Sequence, residues 1–242
     1  SGRGPDNSPV LPGATVADIA AGGMQAAMSV MAALLGRAGS GNGRHLDVSI
    51  ADGAFALMSL YVDEYLATGT EPGPGHYILT GRYACYGIYT CSDGLHISVG
   101  AIEPRFWRNL LKAVGLERYA DLQLDDPSQN EIREALADVF RTRTRDDWTD
   151  LLGPADCCVA PVLSVAEAVH DPHLEARGLL ADAVHDTKGS FRQTGPVWAG
   201  TVAPGDGFDV RDATVTDTPS LLTAAGLDAA EIRQLIKQGA IA

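Results

Sequence analysis

The spacing of apolar side chains predicts two amphipathic helices near the start of this 242-residue chain. Between Asp18 and Arg37, Met24, Met28, Met31 and Leu35 recur at steps of four, three and four, which aligns them on one side of a helix. Ala and Gly fill much of the remainder, so this helix is expected to pack on several sides until Gly39-Ser40-Gly41-Asn42-Gly43 breaks it. His45 to Ile50 alternates apolar and polar with period two and reads as a strand. A second helix follows, with Asp52 expected as its cap, an apolar face of Phe55, Met58, Val62 and Leu66, and an end at Gly69. Helix, strand and helix joined by short loops predict an α/β layer.

Glu71-Pro72-Gly73-Pro74-Gly75 supports neither a helix nor an interior strand and reads as a linker into a second domain. Past it, Ala84 to Cys91, a Ser92-Asp93-Gly94 turn and Leu95 to Gly100 predict a hairpin. Helices follow, two of them with capping-box starts, Ser128 with Glu131 and Ser164 with Glu167. The expected domains are therefore 1–72, part of a large α/β domain; 73–180, a small α+β domain; and 181–242, a return segment closing with a helix capped by Asp228 and Glu231. Residues 1–13, rich in Gly, Pro, Ser and Asn, read as a chain opening in mid-loop.

Composition narrows the function classes. Eighteen Lys and Arg against 31 Asp and Glu give a net charge of −13 with no basic stripe, which argues against nucleic acid as a partner. No uninterrupted apolar run reaches the roughly 18–20 residues of a membrane span, and no apolar signal core opens the chain, so the expectation is a soluble, cytoplasmic protein away from membranes. Cys85, Cys91, Cys157 and Cys158 have no metal-type spacing and read as reduced thiols, mostly structural. His170 and His173 sit in no zinc-like pattern, so no metal is expected.

Two segments carry candidate chemistry. In Ala17-Asp18-Ile19-Ala20-Ala21-Gly22-Gly23-Met24 an acidic residue stands at the mouth of a helix, with glycines that would let a ligand approach first-turn N–H groups. The plainer reading makes Asp18 an N-cap. In Val99-Gly100-Ala101-Ile102-Glu103-Pro104 a glutamate precedes a proline that can open a helix, and Glu103 too can be read as only a cap-like residue. Tyr83, Tyr86 and Tyr89 cluster nearby, where a phenol can donate to a bound carbonyl or simply pack.

In their shared order, A-D-I-A-A-G-G at 17–23, G-S-G-N-G-R-H-L-D-V at 39–48, Asp52-Gly53, C-S-D-G-L-H-I-S-V-G-A-I-E-P at 91–104, C-V-A-P-V at 158–162 and Asp171-Pro172-His173 resemble the family III CoA-transferase superfamily. The G-A-I-E-P element, and the lack of a glycine-rich loop before Tyr86, favour its α-methylacyl-CoA racemase branch. The resemblance implies an incomplete family III fold: part of a Rossmann-like large domain plus a small α+β domain, in an interlocked dimer. It implies an isomerase that epimerises 2-methylacyl-CoA thioesters through an enolate, with Asp18 as an acid/base group and Glu103 supporting a catalytic histidine. Tyr86, Gly22 and Gly23 would serve the enolate oxygen. Coenzyme A would enter as part of the substrate, with no separate cofactor. The alternative is a CoA-transferase in which Asp18 forms an acyl anhydride and then a thioester.

This chain lacks the family's N-terminal half, with its Gly-His-Asp-x-Asn-Tyr motif, and no histidine here sits in a matching context. The expected partners are therefore the acyl-CoA substrate and either a second copy of the chain or a separate N-terminal half. A non-catalytic subunit that binds such a half is the reading from outside enzymology.

Overall fold

Ala14 and Thr15 turn the chain into its first helix, which opens as a π-helical segment, Val16–Met24, and continues as α1, Gln25–Ser40. The computed structural model describes residues 8, 10–196, 198–202, 204, 205, 207–212 and 214–241, so most of the loop expected over 1–13 lies outside the described residues. Gly41 ends α1 in the left-handed region at φ 71°, its N–H bonded to the Arg37 carbonyl, inside the predicted breaker. The strand expected over 45–50 does not form. Among the described residues no strand lies beside it, and an alternating run without a ladder to join stays irregular. The α/β layer expected there is accordingly helical.

Helix α2, Ile50–Leu57, is capped by Ser49, whose hydroxyl accepts from the Asp52 N–H at 3.3 Å. Asp52 is thus a first-turn residue, and the hydroxyl three positions earlier takes the capping role assigned to it. Met58 leaves the helical region and separates α2 from α3, Ser59–Thr68, which ends at Gly69 as the sequence indicates. Phe55, Met58 and Leu66 on this face are exposed, as are Met24, Met28, Met31 and Leu35 on the first helix. Val16–Ser40 is long and apolar enough, by length and composition alone, to cross a membrane, against the expectation that no stretch would qualify. Its only charged residues are Asp18 and Arg37, because Ala and Gly occupy positions that a surface helix normally gives to charge.

The chain divides into two compact units, 1–162 and 163–242. Within the first, a core forms beyond the linker. Strands β1, Tyr86–Thr90, and β2, His96–Gly100, pair antiparallel as the predicted hairpin, and β3, Val159–Pro161, joins β2 in the order β1-β2-β3. Alternation sends Tyr89, Ile97 and Val99 inward and Ile88 and Ser98 outward. Three helices supply the other wall: α4, Pro104–Val114; α5, Gln129–Phe140; and α6, Arg145–Leu152. Trp107, Leu110, Leu111, Ile132, Leu136, Phe140 and Trp148 are buried there with the sheet. Both indole N–H groups are satisfied, Trp107 by the Tyr119 carbonyl at 3.3 Å and Trp148 by the Phe140 carbonyl at 2.9 Å.

The start expected at Ser128 and Glu131 differs. Ser128 makes no side-chain cap bond, the Asp125 carboxylate accepts from it instead, and Glu131 accepts from the Tyr119 hydroxyl at 2.7 Å. The other boxes form as read: Ser164 and Glu167 start α7, Val165–Ala168. The second unit also holds α8, Pro172–Ala176, and an unforeseen sheet. Its strand order is β5-β4-β6, with β4 at Leu180–His185, β5 at Gly189–Thr194 and β6 at Phe208–Val210. Helices α9, Thr218–Ala224, and α10, Ala229–Lys237, follow, the latter opened by the Asp228–Glu231 box.

Candidate active site

Glu103 stands at the head of α4, in extended conformation, immediately before Pro104. Its position is that of an N-cap, yet its side chain makes no capping bond and is exposed. The backbone beneath it is tightly held. Gln123, buried, donates from Nε2 to the carbonyls of Ala101 at 3.0 Å and Ile102 at 2.7 Å, and the Gly100 N–H donates to the Cys158 carbonyl at 2.9 Å. A free carboxylate on a fixed frame is what acid/base work requires. Gln123 carries no local signal in the sequence, because its partners are carbonyls about twenty residues away.

The three tyrosines separate. Tyr89 is buried and donates to the Ala84 carbonyl at 2.7 Å, and burial pushes its phenol far above the ordinary value. Tyr83 precedes the strand and packs against the core. Tyr86 alone faces the outer side of the sheet, directly across from Gly100. There it lines an open, largely apolar groove of about 490 Å³ with Ile88, Ser98, Gly100, Cys158 and Ala160. Of the four free thiols, Cys85, Cys91 and Cys157 are buried and shifted upward by that burial, whereas Cys158 is exposed at the groove, with φ 56°. Among the described residues no cluster of His, Cys, Asp and Glu could hold a metal ion.

Asp18 lies in the first turn of the π-helical segment, exposed, behind an N-cap position held by Thr15. π-Helices are rare and concentrate at functional sites. Gly22 and Gly23 are not in that first turn. They fall near the segment's end, where amides bond back along the helix, so the premise of outward-pointing first-turn donors is not met. Gly22 packs against the neighbouring helix, whereas a Cβ on Gly23 would meet only the Asp18 carbonyl of its own helix, at 3.4 Å. A Cβ on Gly22 would come within 3.0 Å of Ile50 Cγ1, and one on Gly53 would overlap the Ala21 carbonyl. Asp18, Gly22 and Gly23 thus share one helix, Tyr86 and Glu103 share the hairpin lobe, and among the described residues no hydrogen bond or ion pair joins the two sets.

Residues 1–207 match the family described as CoA-transferase family III. The chain belongs to that family. Its relatives within family III include the human α-methylacyl-CoA racemase, 34% identical over 180 residues, covering 73% of this chain and 46% of that protein. They also include a succinate–glutarate CoA-transferase of Agrobacterium fabrum, 27% identical, covering 74% of this chain and 45% of that protein. A solved CAIB/BAIF family protein from Brucella suis superposes with a TM-score of 0.64 at 24% identity, over 93% of this chain and 58% of that one. The family III fold is therefore present in part, as mixed α/β structure with small sheets. The chain spans about half the length of the curated relatives it matches.

Proposed function

We propose that this chain carries the Asp18 and Glu103 carboxylates of an α-methylacyl-CoA racemase-type enzyme acting on 2-methylacyl-CoA thioesters. The observation that carries the reading is the pair itself: two exposed carboxylates at helix starts, neither engaged as a cap, in a chain 34% identical to a racemase. Epimerisation needs a base to take the C2 proton, the electron pair moving into the thioester carbonyl to give an enolate, and an acid to return a proton on the opposite face. Asp18 supplies one such group. Glu103 orients a histidine brought by residues outside this chain, and Tyr86 donates to the enolate oxygen from the groove. Coenzyme A is part of the substrate. The exposed apolar faces of α1 to α3 support a second copy or an N-terminal half as the element that completes the site.

The second reading, transfer of CoA between carboxylic acids through an Asp18 acyl intermediate, is favoured by the likeness to the Agrobacterium transferase. Hydroxylamine trapping after mixing acyl-CoA with the enzyme completed by a family III N-terminal half separates the two: modification of Asp18 supports the transferase, and an unmodified Asp18 in an enzyme that exchanges the C2 proton supports the racemase. A single epimer incubated with the purified chain alone should keep its configuration, as followed by chiral chromatography. Ready epimerisation would remove the need for a histidine from elsewhere and overturn the assignment of the two proton-transfer groups.

A further inference from the structure

Between Gly69 and Gly75 the chain is poorly suited to hold a fixed direction. Three of its seven residues are Gly, and Gly69 and Gly75 both adopt left-handed backbone, at φ 71° and 67°. The helices that carry Asp18 lie before it, and the lobe that carries Tyr86 and Glu103 lies after it. Two side-chain interactions bridge the gap. His76 Nε2 donates to Glu64 Oε2 at 2.8 Å, both side chains about three-quarters buried, with 21% and 24% exposed. Tyr61 meets Tyr77 edge to face, with ring centroids 5.9 Å apart and planes at 86°. Tyr61 and Glu64 are three apart and so share one face of α3, and the adjacent His76 and Tyr77 dock onto that face together. Among the described residues no other hydrogen bond, ion pair or ring contact joins residues 16–68 to residues 76–162.

The docked pair is in turn fixed to the lobe. Tyr77 and Thr80 bond reciprocally, with the Tyr77 N–H donating to Thr80 Oγ1 at 2.8 Å and the Thr80 N–H donating to the Tyr77 carbonyl at 2.9 Å. Arg82 then grips Asp126 with two bonds of 3.0 and 2.7 Å, and Arg133 on α5 donates to the Gly81 carbonyl at 3.0 Å. We propose that Glu64 and His76, backed by the Tyr61–Tyr77 contact, form a clasp that holds α3 against the lobe across the Gly/Pro connection. Both are positioning residues: the clasp sets the Asp18-bearing helices relative to the Glu103-bearing lobe, without touching reactants. That consequence for catalysis rests on the reading above, whereas the clasp itself does not.

The test measures geometry directly on the 242-residue chain. Spin labels at Ala67→Cys and Lys112→Cys, both exposed, in a Cys158→Ser background, report the distance between α3 and α4 by dipolar spectroscopy. The parent should give one narrow distribution. His76→Ala, or Glu64→Ala where the first variant folds poorly, should widen it at least about two-fold while the thermal midpoint of the lobe stays put. Glu64→Gln should restore the narrow form, because its amide oxygen accepts the same N–H. An unchanged width in the Ala variants overturns the clasp, and a Gln variant as wide as Ala overturns its assignment to this hydrogen bond. Since the readout is a distance, a failed racemase assay leaves the result standing.

Discussion

The lobe of residues 83–162 and the helices of residues 16–68 show the same kind of apolar spacing in sequence and have opposite fates. In the lobe the apolar stripes of α4, α5 and α6 close on the inner face of a three-stranded sheet, burying Trp107, Leu110, Phe140 and Trp148. In the helices the buried residues are Ala21 and Gly53, while Leu35 is 77% exposed and Leu66 76%. Periodicity states which side of a helix is apolar. It does not state what covers that side, and here the cover is not another element of the same region.

The sharpest way to break this contrast is to truncate one side chain in each region. Trp107→Ala should cost about 3–5 kcal/mol in urea denaturation, since it empties a closed core, whereas Leu35→Ala should stay within about 0.5 kcal/mol. Equal losses would mean that the helices are as self-supporting as the lobe. Gly53→Val probes the one tight crossing in the helical region. The added side chain meets the Ala21 carbonyl, so about 1–3 kcal/mol should be lost, read as faster amide exchange over 16–57 with lobe protection unchanged.

Within the lobe, Gln123→Ala leaves the Ala101 and Ile102 carbonyls short of a donor, with an expected cost of about 1–3 kcal/mol in the same denaturation. The smallest effect concerns the exposed Arg82–Asp126 pair. The Arg82 guanidinium holds the Asp126 carboxyl below the usual carboxylate range. Its contribution is therefore complete above the unfolded carboxylate value of about 4 and fades as pH falls through the lower folded value. Arg82→Gln should flatten that acid limb of the stability curve slightly, and a steeper limb would contradict the sign.

Helix ends marked by glycine, at Gly41 and Gly69, and the hairpin across Ser92-Asp93-Gly94 were legible in the sequence because each depends on a few neighbouring residues. So were the boxes at Ser164 and Asp228. Asp52 reads as the cap in sequence although Ser49 holds that place, because both are good caps three residues apart and only backbone geometry chooses between them. The strand at 45–50 failed because alternation is necessary for a strand but pairing is what makes one. The second sheet leaves little signal in the sequence, because β4 mixes small residues with Asp182 and His185, and β5 buries little of what it carries. Of the candidate site, Asp18, Tyr86 and Glu103 could be named from motifs. The tertiary bonds of Gln123 and the partners of His76 are long-range, and no local pattern encodes them.

The most direct measurement is deuterium exchange at C2 of a 2-methylacyl-CoA in an enzyme reconstituted from this chain and a family III N-terminal half. Asp18→Asn should fold as the parent does and lower exchange by about 10² to 10⁴-fold, the span of one well-placed acid/base group, with a smaller loss for Glu103→Gln. Exchange at the parent rate in the Asp18→Asn enzyme would contradict the account.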